Sequence, residues 1–387
     1  MEAAMVIAHH SEASACMTHR ILCVVGTRPE AIKMAPVIRA LRRKPGLGVR
    51  VLATAQHREM LDETLAQFGI IPDIDLDIMR PGQTLADLTA RLLAGIDAAL
   101  ASERPDVVVA QGDTTTVFAS ALASFYRRIP FAHVEAGLRT GDFSNPFPEE
   151  MNRNFAGRLA ALHFAPTAGA RTNLLREGIS DHMIHVTGNT VIDAVQWMAL
   201  NNPDHGLPIN GAAQVILLTC HRRENFGNPF RQILSGVRRL AAMHPEITIV
   251  YPVHPNPSVA GTAQQLLSGI PNIMLTEPLS YAKLVGVLKA CHFVLTDSGG
   301  LQEEAPALGK PVLVLRNETE RPEAVEAGIA ILVGHEEETV VREASRLLDD
   351  KCHYRAMARA VSPYGDGHAG ERIAEALTSW LRLLIFP

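Results

Sequence analysis

The chain has 387 residues, of which 47% are hydrophobic and 20% are charged, and its formal net charge is −5. This length predicts two domains rather than a single core, and the negative charge argues against a nucleic-acid or anionic-membrane surface. The five cysteines are scattered and include no CxxC pair, which predicts reduced thiols and a cytoplasmic location. No apolar run approaches the ~20 residues that a membrane helix needs, and residues 1–19 lack the pattern of a signal peptide.

Two cations follow the first predicted strand. Residues 21–25 form an apolar run, the loop GTRPE comes directly after it, and a helix is predicted to continue to about residue 43. Arg28 lies in this loop and Lys33 lies further into the helix. Because open α/β sheets bind ligands at the carboxyl ends of their strands, Arg28 is predicted to be part of a ligand site. For Lys33 an ordinary place on the helix surface is an equally good interpretation.

Three carboxylates follow later elements. Asp113 comes after the predicted strand 106–110, Glu135 comes directly after the strand 130–134, and Glu149 begins a helix after a long loop rich in Gly, Asn and Pro. Asp113 also fits the N-cap of the next helix, and Glu149 also fits an ordinary acid of a first helical turn. The convergence of three acids on strand ends nevertheless predicts a functional acidic site.

A second alternating series of strands and helices begins after residues 188–213. That stretch is polar and contains Gly and Pro, so it predicts the crossing between two domains. The strand 215–219 is followed by His221 and Arg222, which repeats the pattern of an apolar run with basic residues at its carboxyl end. His254 follows a later strand, where a structural and a binding role are equally good interpretations.

The stretch 292–321 has the most informative pattern in the chain. A buried strand at 293–296 leads into a glycine-containing loop and a predicted helix at 301–308, and the bare N–H groups of such a helix start form a ready anion site. Glu303 and Glu304 are predicted in the first turn of this helix. Glu303 is interpreted as an acid that favours the helix dipole, and Glu304 as a ligand of a hydroxylated group such as a ribose. The residues predicted to hold the anion are Ser298, Gly299, Gly300 and Arg321.

Together these patterns predict an α/β protein with two Rossmann-like, doubly wound domains that face each other across a cleft. The first predicted domain is residues 1–187, of which 1–19 are a leader, and the second is residues 188–369. A terminal helix is predicted after the second domain, in 370–387. Cations and helix N-termini suit a pyrophosphate, Glu304 suits a ribose and the acids suit a sugar, which together describe a nucleotide-sugar enzyme. GxxxxGK[ST], GxSxG and HExxH motifs are absent, no GxGxxG follows a strand, and the 16 histidines are scattered. Neither a metal nor a cofactor is therefore predicted.

Ordered motifs along the chain also carry a family resemblance. From about Arg20 onward the chain resembles the non-hydrolysing UDP-N-acetylglucosamine 2-epimerases. The matching segments are GTRPEAIKMAP (26–36), TAQHREML (54–61), QGDTTT (111–116), HVEAGLRTGD (133–142), PEEMNR (148–153), TGNTVIDA (187–194), HRREN (221–225), YPVHPNP (251–257), TDSGGLQEEAPALGKPVLV (296–314), ERPEA (320–324) and PYGDG (363–367). The resemblance implies a fold of the glycosyltransferase-B type, in which the last helix crosses back onto the N-terminal domain.

The resemblance implies interconversion of UDP-N-acetylglucosamine and UDP-N-acetylmannosamine, which would supply N-acetylmannosamine units for cell-surface polysaccharides. In this family UDP is eliminated to leave a 2-acetamidoglucal, and it adds back after the glucal has turned over. The implied acid–base carboxylates are Asp113, Glu135 and Glu149, and His221 is implied to assist near the diphosphate. The implied nucleotide-binding residues are Arg28, Lys33, Ser298, Gly299, Gly300, Glu304 and Arg321.

The resemblance also implies further binding partners. Some family members bind a second UDP-N-acetylglucosamine as an activator, at positions that match Gln56, Arg222 and His254, and a homodimer is expected. Glu59 stands where some relatives have Gln, which leaves direct activation open. Cys220 stands where relatives often have Gly or Ala.

Three other functions fit the same fold. A hydrolysing 2-epimerase would release UDP and free N-acetylmannosamine. A glycosyltransferase would need an acceptor and would not exchange the C2 hydrogen. A nucleotide-sugar-binding regulator would have lost catalysis, which the presence of Asp113, Glu135 and Glu149 weighs against.

Overall fold

The structure is a computed structural model that describes residues 19–54, 58–80, 82–202, 204–209, 214–359 and 362–383, with only the backbone at 58–60. The first series of elements is β1 (His19–Val25), α1 (Arg28–Arg42), β2 (Leu47–Ala53), α2 (Arg58–Gln67), β3 (Ile74–Asp75), α3 (Leu85–Glu103), β4 (Val107–Gln111), α4 (Thr115–Tyr126), β5 (Phe131–Val134), α5 (Glu149–Leu159), β6 (Leu162–Ala165), α6 (Ala168–Arg176), β7 (Ile184–Val186) and α7 (Thr190–Asn201).

The second series has the same alternation of strands and helices. It consists of β8 (Gln214–Thr219), α8 (Asn228–Met243), β9 (Ile247–Pro252), α9 (Pro257–Leu267), β10 (Ile273–Thr276), α10 (Tyr281–Ala290), β11 (Phe293–Thr296), α11 (Gly299–Ala307), β12 (Val312–Val314), α12 (Pro322–Glu326), β13 (Ala330–Leu332), α13 (Glu337–Asp349), α14 (Lys351–Met357) and α15 (Ala369–Leu383). Among the residues that the structure describes, no helix has the length and apolar character needed to cross a membrane.

Both sheets are parallel and share one strand order. The first sheet has seven strands in the order β3-β2-β1-β4-β5-β6-β7, and the second has six in the order β10-β9-β8-β11-β12-β13. In each sheet the chain runs outward from a central strand to one edge and then builds the other side, which is a doubly wound arrangement. The predicted α/β fold with two doubly wound sheets is therefore confirmed. The strand order reverses between β1 and β4 and between β8 and β11, and ligands bind beside such switch points.

Four inner strands are buried along their whole length. Every residue of β4, β5, β6 and β11 is buried, because helices cover both faces of a doubly wound sheet. This explains why these strands are continuous apolar runs in the sequence, and each buried Val, Leu or Phe contributes about 1.5–3 kcal/mol. Two of the polar exceptions, His133 on β5 and His163 on β6, are partners in the strand register. Burial lowers the pKa of His133 to about 4 and that of His163 to about 3, so both are neutral at pH 7.

The described chain divides into two compact units. The first comprises the described residues up to Ala194 together with those from Gly367, and the second comprises Val195–Asp366. The sequence placed the division at 187/188, whereas the units part within α7. The first turn of that helix is tied to the first unit through Asp193, whose carboxylate accepts a hydrogen bond from Gly370 N at 2.8 Å. Its last turn is tied to the second unit through Ala199 O, which accepts from Lys289 Nζ at 3.1 Å.

Helix α15 is part of the first unit and packs on α1. Gly370 makes the closest approach, since a Cβ at this position would lie 2.9 Å from the carbonyl carbon and oxygen of Pro36. The helix is amphipathic, with its apolar side chains spaced to form one stripe. The buried side chains of this stripe are Ile373, Ala374, Leu377 and Leu381.

Candidate active site

The loop after β1 lies at the switch point of the first sheet and is built around Glu30. Thr27 caps α1, and the carboxylate of Glu30 accepts hydrogen bonds from Gly26 N at 2.6 Å, from Thr27 N at 2.8 Å and from the hydroxyl of Thr114. Burial raises the pKa of Glu30 to about 7, although these hydrogen bonds favour the charged form. A Cβ at Gly26 would lie 2.7 Å from Thr54 Oγ1, so only glycine fits. These contacts fix the orientation of the start of α1 relative to the loop.

Lys33 and Glu135 form the central ion pair of the first unit. Lys33 Nζ lies 2.7 Å and 2.8 Å from the two carboxylate oxygens of Glu135. Glu135 is buried directly after β5 and has a φ of +62°, a left-handed conformation that costs a residue with a Cβ about 1–2 kcal/mol. The side chain of Lys33 therefore lies against a buried carboxylate rather than on the helix surface. Arg28 lies in the first turn of the same helix and is half-buried.

Two buried amides complete the surroundings of Glu135. Gln111 Nε2 donates a hydrogen bond to Oε2, and Asn189 Nδ2 donates to Oε1 at 3.1 Å. Both residues lie at the carboxyl edge of the sheet, Gln111 at the end of β4 and Asn189 in the loop before α7. Together with Lys33 they hold the carboxylate as an anion in one orientation. Neither residue was predicted as part of the site, because the only signal of each was a polar side chain near a strand end.

Asp113 and Glu149 complete the acidic edge of the first unit. Asp113 follows β4, and its Oδ2 atom lies 2.5 Å from a guanidinium nitrogen of Arg153. Burial raises the pKa of Asp113, the charge of Arg153 opposes this, and the charges of Glu135 and Glu149 raise it further. Asp113 thus lies within electrostatic reach of the other two predicted carboxylates, Glu135 and Glu149.

Glu150, the neighbour of Glu149 in α5, has a structural role. It is fully buried, and its Oε1 atom accepts hydrogen bonds from Thr140 N and Gly141 N at 3.1 Å each. Its Oε2 atom lies 3.4 Å from Arg153. Glu150 therefore holds the long loop before α5. Glu149 is the acid of this pair whose charge acts on Asp113.

In the second unit, Asp297 joins the loops that follow β8 and β11. It is fully buried, and its Oδ2 atom accepts hydrogen bonds from His221 N and Arg222 N at 2.8 Å each and from Asn225 Nδ2 at 3.1 Å. Its Oδ1 atom lies 3.7 Å from His221 Nδ1. No role was predicted for Asp297, because its partners are more than 70 residues away in the chain.

Two guanidinium groups lie beside the N-terminus of α11. Ser298 occupies the N-cap position, and Gly299 and Gly300 begin the helix. A Cβ at Gly299 would lie 3.2 Å from Cζ of Arg321 and 3.5 Å from NH2 of Arg222. Backbone N–H groups and guanidinium groups thus converge on one place, which is a strong arrangement for binding an anion such as a diphosphate. Arg222, which the resemblance implied for an activator site, belongs to the same cluster as Arg321.

Glu303 and Glu304 lie in the second turn of α11. The prediction of a first-turn position was wrong, because the helix begins at Gly299, earlier than predicted. Glu303 is buried and accepts a hydrogen bond from Arg321 Nε at 2.9 Å, so it orients Arg321 instead of stabilising the helix dipole. Glu304 is buried and accepts a hydrogen bond from the hydroxyl of Tyr281 at 3.1 Å.

His221 and His254 lie face to face in the second unit. Their ring centroids are 5.3 Å apart with an interplanar angle of 10°. Burial lowers the pKa of His221, the charge of Asp297 raises it, and His254 and Arg222 lower it. Gln56, the third residue implied for an activator site, lies outside the described residues. In the described ranges, no three His, Cys, Asp or Glu side chains are grouped so as to hold a metal ion.

Comparison with known proteins shows the family. Residues 39–378 match the family model described as UDP-N-acetylglucosamine 2-epimerase. The UDP-N-acetylglucosamine 2-epimerase of Yersinia pestis is 51% identical over 370 residues, which cover 92% of this chain and 98% of the relative. The enzyme of the same name from Escherichia coli K12 is 50% identical over 372 residues, which cover 92% of this chain and 98% of the relative.

Solved structures agree with the sequence comparison. The crystal structure of UDP-GlcNAc 2-epimerase from Neisseria meningitidis bound to UDP-GlcNAc has a TM-score of 0.86 and 45% identity, over 93% of this chain and 100% of that chain. The structure of UDP-GlcNAc 2-epimerase from Methanocaldococcus jannaschii has a TM-score of 0.80 and 35% identity, over 93% and 99% of the two chains. The chain therefore belongs to the UDP-N-acetylglucosamine 2-epimerase family.

Proposed function

We propose that this protein interconverts UDP-N-acetylglucosamine and UDP-N-acetylmannosamine by elimination and re-addition of UDP, without net hydrolysis. The observation that supports it most is the buried Lys33–Glu135 pair with Asp113 and Glu149 in electrostatic reach, because inversion at C2 requires one proton to leave and another to arrive. The relative from Neisseria meningitidis, at 45% identity, is bound to UDP-GlcNAc in its solved structure, which supports this substrate.

The chemistry explains why carboxylates are needed at C2. The C2 proton is not acidic, since no carbonyl adjoins C2 on the ring. The C1–O bond to UDP therefore breaks with its electron pair on the departing diphosphate, and the C2–H electrons form the C1=C2 double bond while a carboxylate takes the proton. Addition of UDP to C1 and of a proton to the opposite face of C2 then gives the epimer.

The surroundings of the carboxylates suggest a division of roles within the first unit. Glu135 is held as an anion by Lys33, Gln111 and Asn189, so it suits the group that accepts the C2 proton. Burial raises the pKa of Asp113, so it suits the group that delivers a proton to the other face. Two acids whose surroundings favour different protonation states are a common basis for such an assignment.

The anion cluster of the second unit suits the nucleotide. UDP gains negative charge as the C1–O bond breaks, and this charge is stabilised by the start of α11 together with Arg222 and Arg321. Glu304 suits a ribose hydroxyl as an acceptor, and His221 suits a position near the diphosphate. Arg28, at the start of α1, stays a predicted nucleotide-binding residue.

Four expectations from the sequence stay predictions. They are the homodimer, the second UDP-N-acetylglucosamine bound as an activator at Gln56, Arg222 and His254, the cytoplasmic location, and the supply of N-acetylmannosamine units for polysaccharides.

Reaction in heavy water tests the proposal. A carboxylic acid exchanges its proton with solvent, so incubation with UDP-N-acetylglucosamine in heavy water should place deuterium at C2 of both UDP-sugars, which proton NMR detects directly. Release of free N-acetylmannosamine with UDP would instead show a hydrolysing enzyme. Formation of the epimer without deuterium at C2 would contradict the elimination mechanism.

The variant Glu135→Gln tests whether Glu135 is the proton acceptor. Gln keeps the shape of the side chain but cannot accept the proton, and general acid–base catalysis contributes roughly 10²–10⁴-fold, so kcat should fall by about that factor. UDP affinity, measured by calorimetry, should stay within about threefold because the nucleotide cluster lies in the other unit. Near wild-type turnover in this variant would exclude Glu135 as the base.

A further inference from the structure

One carboxylate oxygen of Asp297 lies near His221 and has no hydrogen-bond donor in the described part of the chain. Its Oδ2 atom accepts three hydrogen bonds, which saturate that side of the carboxylate. Within the described part of the chain its Oδ1 atom accepts none, although the residue is fully buried. Buried polar atoms without a partner are rare because the missing hydrogen bond is costly. Oδ1 lies 3.7 Å from Nδ1 of His221, and imidazole N–H is a good donor for a carboxylate.

The thiol of Cys220 is a weaker candidate for this oxygen. Cys220 is buried, and its pKa is raised by burial, by the nearby charge of Asp297 and by the contact of its thiol with that carboxylate. A thiol is only a weak hydrogen-bond donor, so it cannot satisfy the carboxylate as an imidazole N–H can. His221 is therefore the donor that best matches Oδ1 of Asp297.

The two side chains differ in freedom of movement. Asp297 is anchored through Oδ2, whereas 38% of the His221 side chain is exposed. The stacking partner His254 lies parallel to the ring at a centroid distance of 5.3 Å, so the ring of His221 can shift within its own plane. Hydrogen bonds of catalytic groups are often long in a free enzyme and shorten when the ligand binds.

We propose that Asp297 is a positioning residue that directs Nδ1–H of His221 toward its Oδ1 atom and thereby leaves Nε2 available to the substrate. The proposal rests on the proposed function, in which His221 lies near the diphosphate. Asp297 selects one tautomer of the neutral ring, and it stabilises the imidazolium that forms when Nε2 takes a proton from solvent next to the departing diphosphate.

The charges around His221 make the choice of tautomer necessary. Burial, His254 and Arg222 lower the pKa of His221, and Asp297 is the group that raises it. The ring of the free protein is therefore neutral at pH 7 and above, where either nitrogen can carry the single proton. Among the described groups that act on His221, the carboxylate of Asp297 is the one that favours protonation at Nδ1.

Nitrogen NMR of the full chain labelled with ¹⁵N-histidine tests the tautomer directly. In the wild type at pH 8 the proton of His221 should reside on Nδ1. In Asp297→Asn the amide keeps an oxygen for the N–H groups of His221 and Arg222, but it places an NH₂ group opposite Nδ1, and the proton should move to Nε2. A wild-type ring protonated at Nε2 would overturn the proposal, even if the variant failed to fold.

Asn225→Ala is the matched control for loss of packing. Asn225 donates to Oδ2 of Asp297 and to Leu315 O, so its removal loosens the same loops without touching Oδ1. This variant should lower the melting temperature and keep the wild-type tautomer. A shift of the tautomer in Asn225→Ala as large as that in Asp297→Asn would show that loop packing, rather than Oδ1, sets the tautomer.

A double-mutant cycle tests the consequence for turnover. Asp297→Asn should lower kcat on the order of 10²-fold or more, with a change in KM of only a few-fold, because the ring still binds but is protonated on the wrong nitrogen. In the His221→Gln background the same change should have little further effect. An equal loss in both backgrounds would overturn the proposal. A wild-type protein without epimerase activity would refute the proposed function, while NMR would still decide the positioning.

Discussion

The buried carboxyl groups of the first unit experience contrasting surroundings. The buried carboxylate of Glu135 is paired with the ammonium of Lys33 and accepts hydrogen bonds from two amides. Glu30 accepts hydrogen bonds from two backbone N–H groups and one hydroxyl, which are neutral donors, and burial raises its pKa to about 7. The difference lies in the partner, because a cation offsets desolvation of a carboxylate far better than neutral hydrogen bonds do. The free energy of unfolding should therefore depend on pH through Glu30.

Glu30→Gln should remove a pH-dependent loss of stability from the first unit. An ordinary glutamate has a pKa of 4.5, whereas that of Glu30 is about 7. Between these values the unfolded chain has released its proton and the folded chain keeps it, so the free energy of unfolding falls as pH rises from about 4.5 to about 7. The shift corresponds to about 3 kcal/mol, and a glutamine at this position does not titrate.

Unfolding in denaturant at pH 5 and pH 8, followed through amide exchange in β1 and α1, measures this effect. The stability of Glu30→Gln relative to the wild type should increase between the two pH values. The exposed Glu318 supplies the control through Glu318→Gln, which should show no such trend. A constant difference between Glu30→Gln and the wild type would contradict the assignment.

Arg321→Ala should weaken UDP binding. Its guanidinium group lies beside Gly299 at the start of α11 and is oriented by Glu303. A charge-assisted hydrogen bond contributes about 1.5–3 kcal/mol, so the affinity for UDP in calorimetry should fall roughly 10- to 100-fold. Arg342→Ala is the matched control, because that exposed arginine pairs with its neighbour Glu343 on α13. Unchanged UDP affinity in Arg321→Ala would remove Arg321 from the nucleotide site.

Some residues of the candidate site could be predicted from the sequence, and others could not. Asp113 and Glu135 could be identified because charged residues directly after apolar strands stand out. Gln111 and Asn189 could not, since a neutral amide gives no such signal and Asn189 is 54 residues from the carboxylate it contacts. Glu303 was misinterpreted because glycines are poor helix formers, which concealed the true start of α11. Contacts between distant segments are what the sequence leaves undetermined.

At the scale of elements, the contact between α15 and α1 is close enough for a substitution to test. In Gly370→Ala the added Cβ would lie 2.9 Å from the backbone of Pro36, which cannot move aside as the end of a side chain can. We expect a loss of about 1–3 kcal/mol in the free energy of unfolding. Gly261→Ala on α9 is the control, because a Cβ there meets open space and should stabilise the helix by about 0.5–1 kcal/mol. Equal stabilities of the two variants would contradict this account.

The strands were predicted better than their boundaries with loops. The predicted strand 293–296 coincides with β11, whereas the predicted strand 106–110 is shifted by one residue from β4. Burial on both faces produces apolar runs that identify such strands. Strand β3 has only two residues, which leaves no run to detect. Short edge strands are defined by their pairing partner rather than by their own sequence.

The whole molecule uses one topology twice for different chemistry. Both units reverse their strand order beside the first strand of the series, and the charged residues cluster at that point in each. In the first unit the cluster is dominated by the carboxylates Asp113, Glu135 and Glu149, and in the second by the guanidinium groups of Arg222 and Arg321. The fold therefore supplies the place for a site, and the side chains supply its charge.

The position of α15 in the chain has a consequence for biosynthesis. α15 completes the first unit, yet Val195–Asp366 are synthesised before it. A ribosome adding ~5–20 residues per second needs roughly 10 to 30 seconds for that segment, and throughout this time the surface of α1 that receives α15 is uncovered. All residues of the second unit are synthesised before α15, so the second unit can fold before the first unit is complete. The unit that begins first on the ribosome is thus completed last.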